Sequence, residues 1–192
     1  MSLLRAFIAV EIPPEIQNAI YRETADLRRA LSPSLIRWVP QENLHLTLKF
    51  LGDISPSNVD ILSQMLTAEA ALFPCFSMQM SGLGSFPSPR RPRVIWIGIQ
   101  APAVLASLQY GIESASARLG YASEERHFSP HLTIGRVKQN VSGVEQQKVR
   151  QALEATHVGD LGTAQVEAVY LYKSDLKPTG SVYTRLYSAP LG

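Results

Sequence analysis

Two segments of this 192-residue chain decide its fold: LHLTLKFL at residues 44–51 and HLTIGRV at residues 131–137. In each segment aliphatic and polar residues alternate, which is the period of a strand with one buried face. His45 and Thr47 therefore share one face of the first strand, and the aliphatic side chains occupy the other face. The second segment repeats this arrangement with a histidine and a threonine at the same spacing.

The two motifs lie at matching places in a repeated order of elements. His45 and His131 are 86 residues apart, and the helix starts predicted at Pro56 and Ser142 are also 86 residues apart. The order helix, His-x-Thr strand, helix, strand, strand thus occurs twice. This register indicates an internal duplication.

We predict an α+β fold for the duplicated unit. Helices alternate with pairs of consecutive strands, which favours two mostly antiparallel sheets over a doubly wound parallel sheet. Two lobes would face each other across a central cleft with the helices outside, so that both His/Thr pairs converge. We predict one bilobal domain over residues 1–192, with repeats at approximately 12–100 and 101–189.

The patterns between the motifs predict the remaining elements. Pro13-Pro14 opens a helix that Pro33 ends, and a linker with Trp38 leads to the first motif. Helical spacing also predicts helices over 104–119 and 142–155. Other predicted elements are a strand at 76–80, a loop from Gly82 to Pro92, and strands at 166–172 and 181–187 joined by the Lys177-Pro178-Thr179-Gly180 loop.

Composition limits the function classes. A hydrophobic content of 45% supports a packed core and excludes a disordered chain. A net charge of +2 suits a phosphate-bearing substrate but not a protein that coats nucleic acid. The lone Cys75 excludes an internal disulfide, is expected to be a small buried residue, and favours a reducing cytoplasm. The apolar run at 3–10 is too short for a membrane span and predicts a first strand.

Two imidazoles and two hydroxyls suit phosphodiester cleavage. The reaction needs a base to activate the nucleophile and an acid to protonate the departing oxygen, and histidine serves as either near neutral pH. Threonine hydroxyls can donate hydrogen bonds to the non-bridging oxygens. Two other interpretations stay open: half-buried strands with no catalytic role, and a zinc site, although no third ligand has a matching spacing.

The residues around both motifs carry a family resemblance. The stretches from Trp38 to Gly52 and from Ser129 to Arg136 resemble the 2H phosphoesterase superfamily, and within it the prokaryotic RNA 2′,3′-cyclic phosphodiesterases, also known as 2′-5′ RNA ligases. The resemblance spans nearly the whole chain, and both motifs are intact. It implies a bilobal α+β fold and hydrolysis of a terminal 2′,3′-cyclic phosphate to a 2′-phosphomonoester, with no metal and no other cofactor.

The resemblance also implies roles for the motif residues. His45 corresponds to the proton donor to the leaving 3′ oxygen, and His131 to the base for the attacking water. Thr47 and Thr133 correspond to the residues that hold the phosphate. The residues themselves do not distinguish the two histidines.

Two further residues are candidate substrate ligands. This branch of the family often has an arginine at the position of Arg136, which is expected to bind phosphate. Strict alternation from His131 would place Arg136 on the opposite face, unless Gly135 allows a bulge. Phe50 and Trp38 could stack on a base, and Phe50 is kept as a substrate-binding candidate, although core packing is favoured for each of them. The loop containing Arg90, Arg91 and Arg93 either guides RNA or is simply solvated.

The expected partner is RNA with a 2′,3′-cyclic phosphate end, with tRNA fragments among the candidates. We expect a cytoplasmic monomer without membrane association. Three alternatives remain open: 2′-5′ ligation of tRNA half-molecules, a non-catalytic module that binds RNA phosphate ends, and a cyclic mononucleotide as substrate.

Overall fold

The computed structural model describes residues 2–177 and 180–192. The helices are α1 (Pro14–Glu23), α2 (Ala25–Ala30), α3 (Val59–Ala70), α4 (Ala103–Arg118) and α5 (Gly143–Ala155). The strands are β1 (Leu4–Glu11), β2 (Ile36–Trp38), β3 (His45–Ile54), β4 (Phe76–Phe86), β5 (Val94–Gln100), β6 (His131–Val137), β7 (Asp160–Val166), β8 (Ala168–Lys177) and β9 (Gly180–Pro190).

The strands form two sheets in which every pairing is antiparallel. One sheet has the order β3-β1-β8-β9, and the other has the order β2-β6-β5-β4-β7. The predicted α+β class with two antiparallel sheets is confirmed. Each sheet draws strands from both halves of the chain, because β8 and β9 join the first motif's sheet while β4 joins the second motif's sheet.

The aliphatic residues of both motifs lie in one core. Leu46 and Leu48 of β3, together with Leu132 and Ile134 of β6, are buried in the same hydrophobic cluster. Because side chains alternate along a strand, burial of these aliphatic residues directs the two histidines to the opposite face of each strand. The buried face thus determines where the candidate site lies.

The structure corrects the predicted helix that follows the first strand. The single helix expected between Pro13 and Pro33 is two helices, α1 and α2, separated at Thr24. The buried Thr24 hydroxyl donates to the carbonyl of Ile20 at 2.7 Å. A side chain that bonds back to the helix in this way competes with regular backbone geometry.

The loop predicted from Gly82 to Pro92 begins later in the structure. Strand β4 continues to Phe86, because Gly82 adopts a φ of 74° at a register shift and so keeps the strand paired with β5. The short strand β2 and the strand β7 are additional to the predicted elements.

Cys75 is exposed, which corrects its expected burial. It lies just before β4, next to the buried Phe76. Residues 178 and 179 of the predicted loop between the last two strands lie outside the described residues. No helix of the described ranges has the length and apolar character needed to cross a membrane.

Candidate active site

Both motif strands contain a bulge directly after the His-x-Thr sequence. The pairing of β3 with β1 skips Leu48, between Thr47 and Lys49. The pairing of β6 with β5 skips Ile134, between Thr133 and Gly135. The two bulges fall at equivalent positions of the duplication, and the sequence of buried and exposed residues over the first seven positions is identical in the two strands.

Each bulge returns the fifth residue after the histidine to the histidine's face. An extra residue in one strand reverses the alternation of all the residues that follow. Phe50 and Arg136 therefore lie on the same faces as the His/Thr pairs, and both are exposed. With 61% of Phe50 exposed, the core packing favoured for this residue from the sequence is wrong.

Arg136 lies within electrostatic reach of both histidines. Its positive charge lowers the pKa of His45 and the pKa of His131, although the two residues belong to different sheets. Strands β3 and β6 are also in direct contact. The two His/Thr faces thus border a common space, which we call the cleft.

The two histidines share the same hydrogen bond to the backbone. His45 Nδ1 lies 2.7 Å from the carbonyl oxygen of Asn43, and His131 Nδ1 lies 2.7 Å from the carbonyl oxygen of Ser129. A carbonyl only accepts, so Nδ1 carries the proton in both rings. Nε2 is therefore the nitrogen that each ring has free to accept or donate a proton. The Asn43 segment is itself fixed, because its amide donates to the carbonyl of Ser181 at 2.8 Å.

Burial lowers the pKa of both histidines below the ordinary value. The backbone hydrogen bonds act in the opposite direction, and the charge of Arg136 lowers both pKa values further. Desolvation disfavours the charged imidazolium, which explains the direction of the shift. Both rings are therefore neutral in the free protein at neutral pH.

His45 lies in an aromatic surrounding that sequence patterns did not reveal. Its ring is 4.9 Å from the ring of Phe7 and 5.2 Å from that of Tyr183, which it meets edge to face. Phe7 in turn stacks on Tyr172 at 5.4 Å, and Tyr172 donates a hydrogen bond to Glu11. These contacts fix the orientation of the imidazole.

His131 has a simpler surrounding. Phe86, at the end of β4, meets its ring edge to face at 4.9 Å and also contacts Trp96 at 5.3 Å. Because Phe86 falls within the predicted loop, sequence patterns did not reveal its contact with the histidine. The tyrosines at 170, 172, 183 and 187 are half-buried sheet residues.

The two threonine hydroxyls remain available to a ligand. Thr47 and Thr133 are half-buried and lie on the histidine faces. Within residues 2–177 and 180–192, neither hydroxyl has a protein hydrogen-bond partner. Such hydroxyls can donate to a bound phosphate oxygen.

Trp38 packs in the core rather than in the cleft. A Cβ atom at Gly135 would lie 2.8 Å from Cε3 of the Trp38 ring, so the glycine gives the ring its place beside the bulge. The guanidinium of Arg28 covers the ring at 4.7 Å and also stacks on Tyr21. The contact between Trp38 and Gly135 thus supports the turn of the strand that presents Arg136.

A cavity of about 520 Å³ adjoins the cleft at Phe50. The segment 122–126 lines its other side. The buried Lys49 fixes this segment, since its ammonium donates to Glu113 and, at 2.6 Å, to the carbonyl of Ala122. The phenyl ring of Phe50 therefore faces a space bounded by an anchored loop.

The remaining candidates lie apart from this constellation. Arg90, Arg91 and Arg93 are exposed and follow Phe86 in the chain. His127 and His157 are exposed. In the described part of the chain, no group of three or more histidine, cysteine or acidic side chains is arranged to hold a metal ion.

Comparison with known proteins places the chain in a wider group. A model described as LigT-like phosphoesterase matches the chain twice in tandem, at residues 10–96 and 97–183. An RNA 2′,3′-cyclic phosphodiesterase of Methanothermobacter thermautotrophicus is 30% identical over 181 residues, covering 94% of this chain and 95% of that protein. The tandem match supports the duplication inferred from the register of the two motifs.

Two solved structures share the fold over nearly the full length. TT0787 of Thermus thermophilus superposes with a TM-score of 0.80 at 27% identity, covering 97% of both chains. Escherichia coli LigT complexed with 3′-AMP superposes with a TM-score of 0.76 at 28% identity, covering 98% of both chains.

Proposed function

This chain belongs to the LigT-like phosphoesterase family, and from that membership we propose that it hydrolyses RNA 2′,3′-cyclic phosphate ends to 2′-phosphomonoesters by general acid and base catalysis, without a metal. One observation carries the proposal. Two histidines on different sheets, each with Nδ1 bonded to a carbonyl, face one cleft within reach of Arg136. That arrangement supplies two equivalent Nε2 atoms and a cation for one anionic group.

The proposed reaction assigns one proton transfer to each histidine. His131 Nε2 takes a proton from the water whose oxygen attacks phosphorus. His45 Nε2–H gives its proton to the 3′ oxygen as the bond between phosphorus and that oxygen breaks. The product keeps the phosphate on the 2′ oxygen. The choice of His45 as acid and His131 as base follows the family resemblance, because the hydrogen bonds of the two rings are equivalent.

The cleft polar groups act on the phosphate. Thr47 and Thr133 donate hydrogen bonds to its non-bridging oxygens, and these bonds strengthen as negative charge develops there. Arg136 pairs with the same charge. Bound phosphate also offsets the effect of Arg136 on the histidines and raises their pKa values, which favours protonation of the one that acts as acid.

The base of the terminal nucleotide is proposed to lie against Phe50. An exposed aromatic ring can stack on any of the four bases, because every base has a flat aromatic face. Stacking therefore does not select one base over another. The cavity between Phe50 and the segment 122–126 has room for such a ring system. The Escherichia coli relative was solved with 3′-AMP, a nucleotide of the same general kind.

The test is a product assay in the presence of EDTA. A 2′,3′-cyclic oligonucleotide is incubated with the wild type, His45→Ala, His131→Ala and the matched control His157→Ala, and the 2′- and 3′-phosphate products are separated. We expect a 2′-phosphate from the wild type and the control, and almost none from the two cleft variants. Wild-type turnover by either cleft variant, or loss of activity with EDTA, would contradict the mechanism.

The same groups would catalyse the reverse step, the joining of tRNA half-molecules through a 2′-5′ linkage. Incubation of paired half-molecules, followed by gel analysis, shows which direction dominates. Tight binding of a cyclic end with no product in either direction would instead indicate a non-catalytic binding module.

A further inference from the structure

Arg37 and Arg136 form a pair of like charges on neighbouring strands. Strand β2 pairs with β6 in the register Ile36 with Val137, Arg37 with Arg136 and Trp38 with Gly135. Residues directly opposite in an antiparallel pair point to the same face, and like charges there repel each other. Such a pair is stable when an anion binds between or beside the two cations.

The packing of β2 shows that Arg37 points into the cleft. Its neighbours Ile36 and Trp38 both contact the position where a Cβ of Gly135 would lie, which is on the core side of the sheet. Arg37 stands between them in the strand and is exposed, so it occupies the opposite face. That face is the one carrying His131, Thr133 and Arg136.

No acid offsets the two arginines at this place. The strands β2, β6 and β5 contain no Asp or Glu. Among the residues that the structure describes, neither Arg37 nor Arg136 forms a salt bridge. A crowded guanidinium without a protein partner is a preformed ligand for phosphate, which it binds through a fixed fork of donors.

The two arginines differ in their distance from the reacting groups. Arg136 belongs to the motif strand β6 and its charge acts on both histidines, whereas Arg37 belongs to β2, the edge strand of the same sheet. Arg136 is thus at the reacting phosphate, and Arg37 is one strand further out, about 4.8 Å away in the pairing direction. A ligand that reaches both arginines carries two anionic groups in succession.

We infer that Arg37 binds the phosphodiester on the 5′ side of the terminal nucleotide, so that the substrate is an RNA strand rather than a cyclic mononucleotide. This inference rests on the proposed function, because it takes the cyclic phosphate to lie at Arg136. A 2′,3′-cyclic mononucleotide lacks the second anion and leaves Arg37 without a ligand. An oligonucleotide supplies it in every sequence, so the contact selects for chain length and not for base.

Three substrates test the subsite: adenosine 2′,3′-cyclic phosphate, the dinucleotide ApA with a 2′,3′-cyclic end, and the same dinucleotide with an uncharged methylphosphonate as its internal linkage. The two dinucleotides differ only in the internal charge. We expect the wild type to prefer the charged dinucleotide in kcat/KM by about tenfold, the size of one charge-assisted hydrogen bond.

The variants Arg37→Gln and Arg37→Lys complete the test, with Arg22→Gln on the outer helix α1 as the matched control. Arg37→Gln should remove the preference for the charged linkage, Arg37→Lys should keep part of it, and the control should keep all of it. Equal kcat/KM for both dinucleotides in the wild type would overturn the subsite. So would an equal loss on all three substrates in Arg37→Gln, which would place Arg37 at the reacting phosphate instead.

The cyclic mononucleotide separates the two levels of the proposal. Its turnover by the wild type reports the proposed reaction alone, because it has no internal linkage. Turnover of this substrate without discrimination between the dinucleotides refutes the subsite and leaves the reaction intact. Turnover of none of the three refutes the reaction and the subsite together.

Discussion

The strands β3 and β6 are two copies of one arrangement, and the type of side chain changes at only two of the aligned positions. Both present a histidine held through Nδ1, a threonine and a bulge at equivalent places. They differ at the next two residues, which are Lys49 and Phe50 in β3 but Gly135 and Arg136 in β6. In the proposed reaction the shared part provides the proton-transfer groups, and the different part gives the cleft one side for a base and one side for phosphate.

The buried residue that follows the bulge also makes different contacts in the two strands. Lys49 extends into the core and anchors the segment 122–126 next to Phe50. Gly135 has no side chain, and the space is taken by Trp38. In β3 this position therefore holds the lysine that fixes a loop. In β6 it is a glycine, which leaves room for the Trp38 ring of β2, the strand that carries Arg37.

The largest effect on activity is expected when either of the two cleft histidines is replaced. His45→Ala and His131→Ala should each lower kcat by about 10²–10⁴-fold on a cyclic RNA end, because each removes one proton transfer. A p-nitrophenyl phosphodiester needs no proton on its leaving group. On that substrate His45→Ala should lose much less activity than His131→Ala. Equal losses on both substrates would contradict the assignment of His45 as the acid.

The next effect concerns the lysine in the core. Lys49→Met should lower the free energy of unfolding by about 3 kcal/mol, because it leaves the largely buried Glu113 without its partner. Urea unfolding measures the loss. The double variant Lys49→Met/Glu113→Gln should recover part of it, and a double variant no more stable than the single one would show that the ion pair is not its cause.

The fifth residue after each motif histidine, Phe50 in β3 and Arg136 in β6, should separate binding of base from binding of phosphate. Arg136→Gln should lower kcat/KM by about 30–100-fold, the size of a charge-assisted contact, with partial recovery in Arg136→Lys. Phe50→Ala should raise KM by about tenfold with little change in kcat, since stacking contributes equally to ground and transition states. Steady-state kinetics on one oligonucleotide distinguish these patterns, and an effect of Phe50→Ala confined to kcat would refute stacking.

A smaller effect is expected at the other buried position. Gly135→Ala would bring a Cβ to 2.8 Å from Trp38 and 3.0 Å from Ile36, so it should cost about 1–2 kcal/mol of unfolding free energy. It should also lower activity by displacing Arg136. Gly143→Ala is the matched control, because a Cβ there meets nothing within 4 Å. Equal stability of the two variants would show that Trp38 yields without cost.

The smallest effect is a shift of the pH profile. Activity falls below the pKa of the histidine that must be neutral and above the pKa of the one that must be protonated. Because both pKa values are lowered in the free protein, the kcat/KM optimum should lie below about pH 6.5, the ordinary value for histidine. Arg136→Gln removes a positive charge, so both pKa values and the optimum should rise by less than about one unit. NMR titration of the two imidazoles checks the same shift directly, and unchanged midpoints would place Arg136 out of reach of them.

The sequence by itself determined the features that depend on local periods. Alternation in residues 44–51 and 131–137 predicted two half-buried strands with His/Thr faces, and the 86-residue register predicted the duplication. Helical spacing also placed α4 and α5 within a residue or so of their observed bounds. These predictions succeed because burial of one strand face or one helix face follows from spacing along the chain alone.

Tertiary structure decided everything that depends on which strand lies beside which. The bulges after Thr47 and Thr133 exist only relative to β1 and β5, so alternation alone placed Phe50 and Arg136 on the wrong face. The exchange of strands between the two halves and the pairing that sets Arg37 beside Arg136 have the same origin. A strand as short as β2 carries no readable period. Its place is fixed by contacts with residues about 100 positions away, which no local pattern encodes.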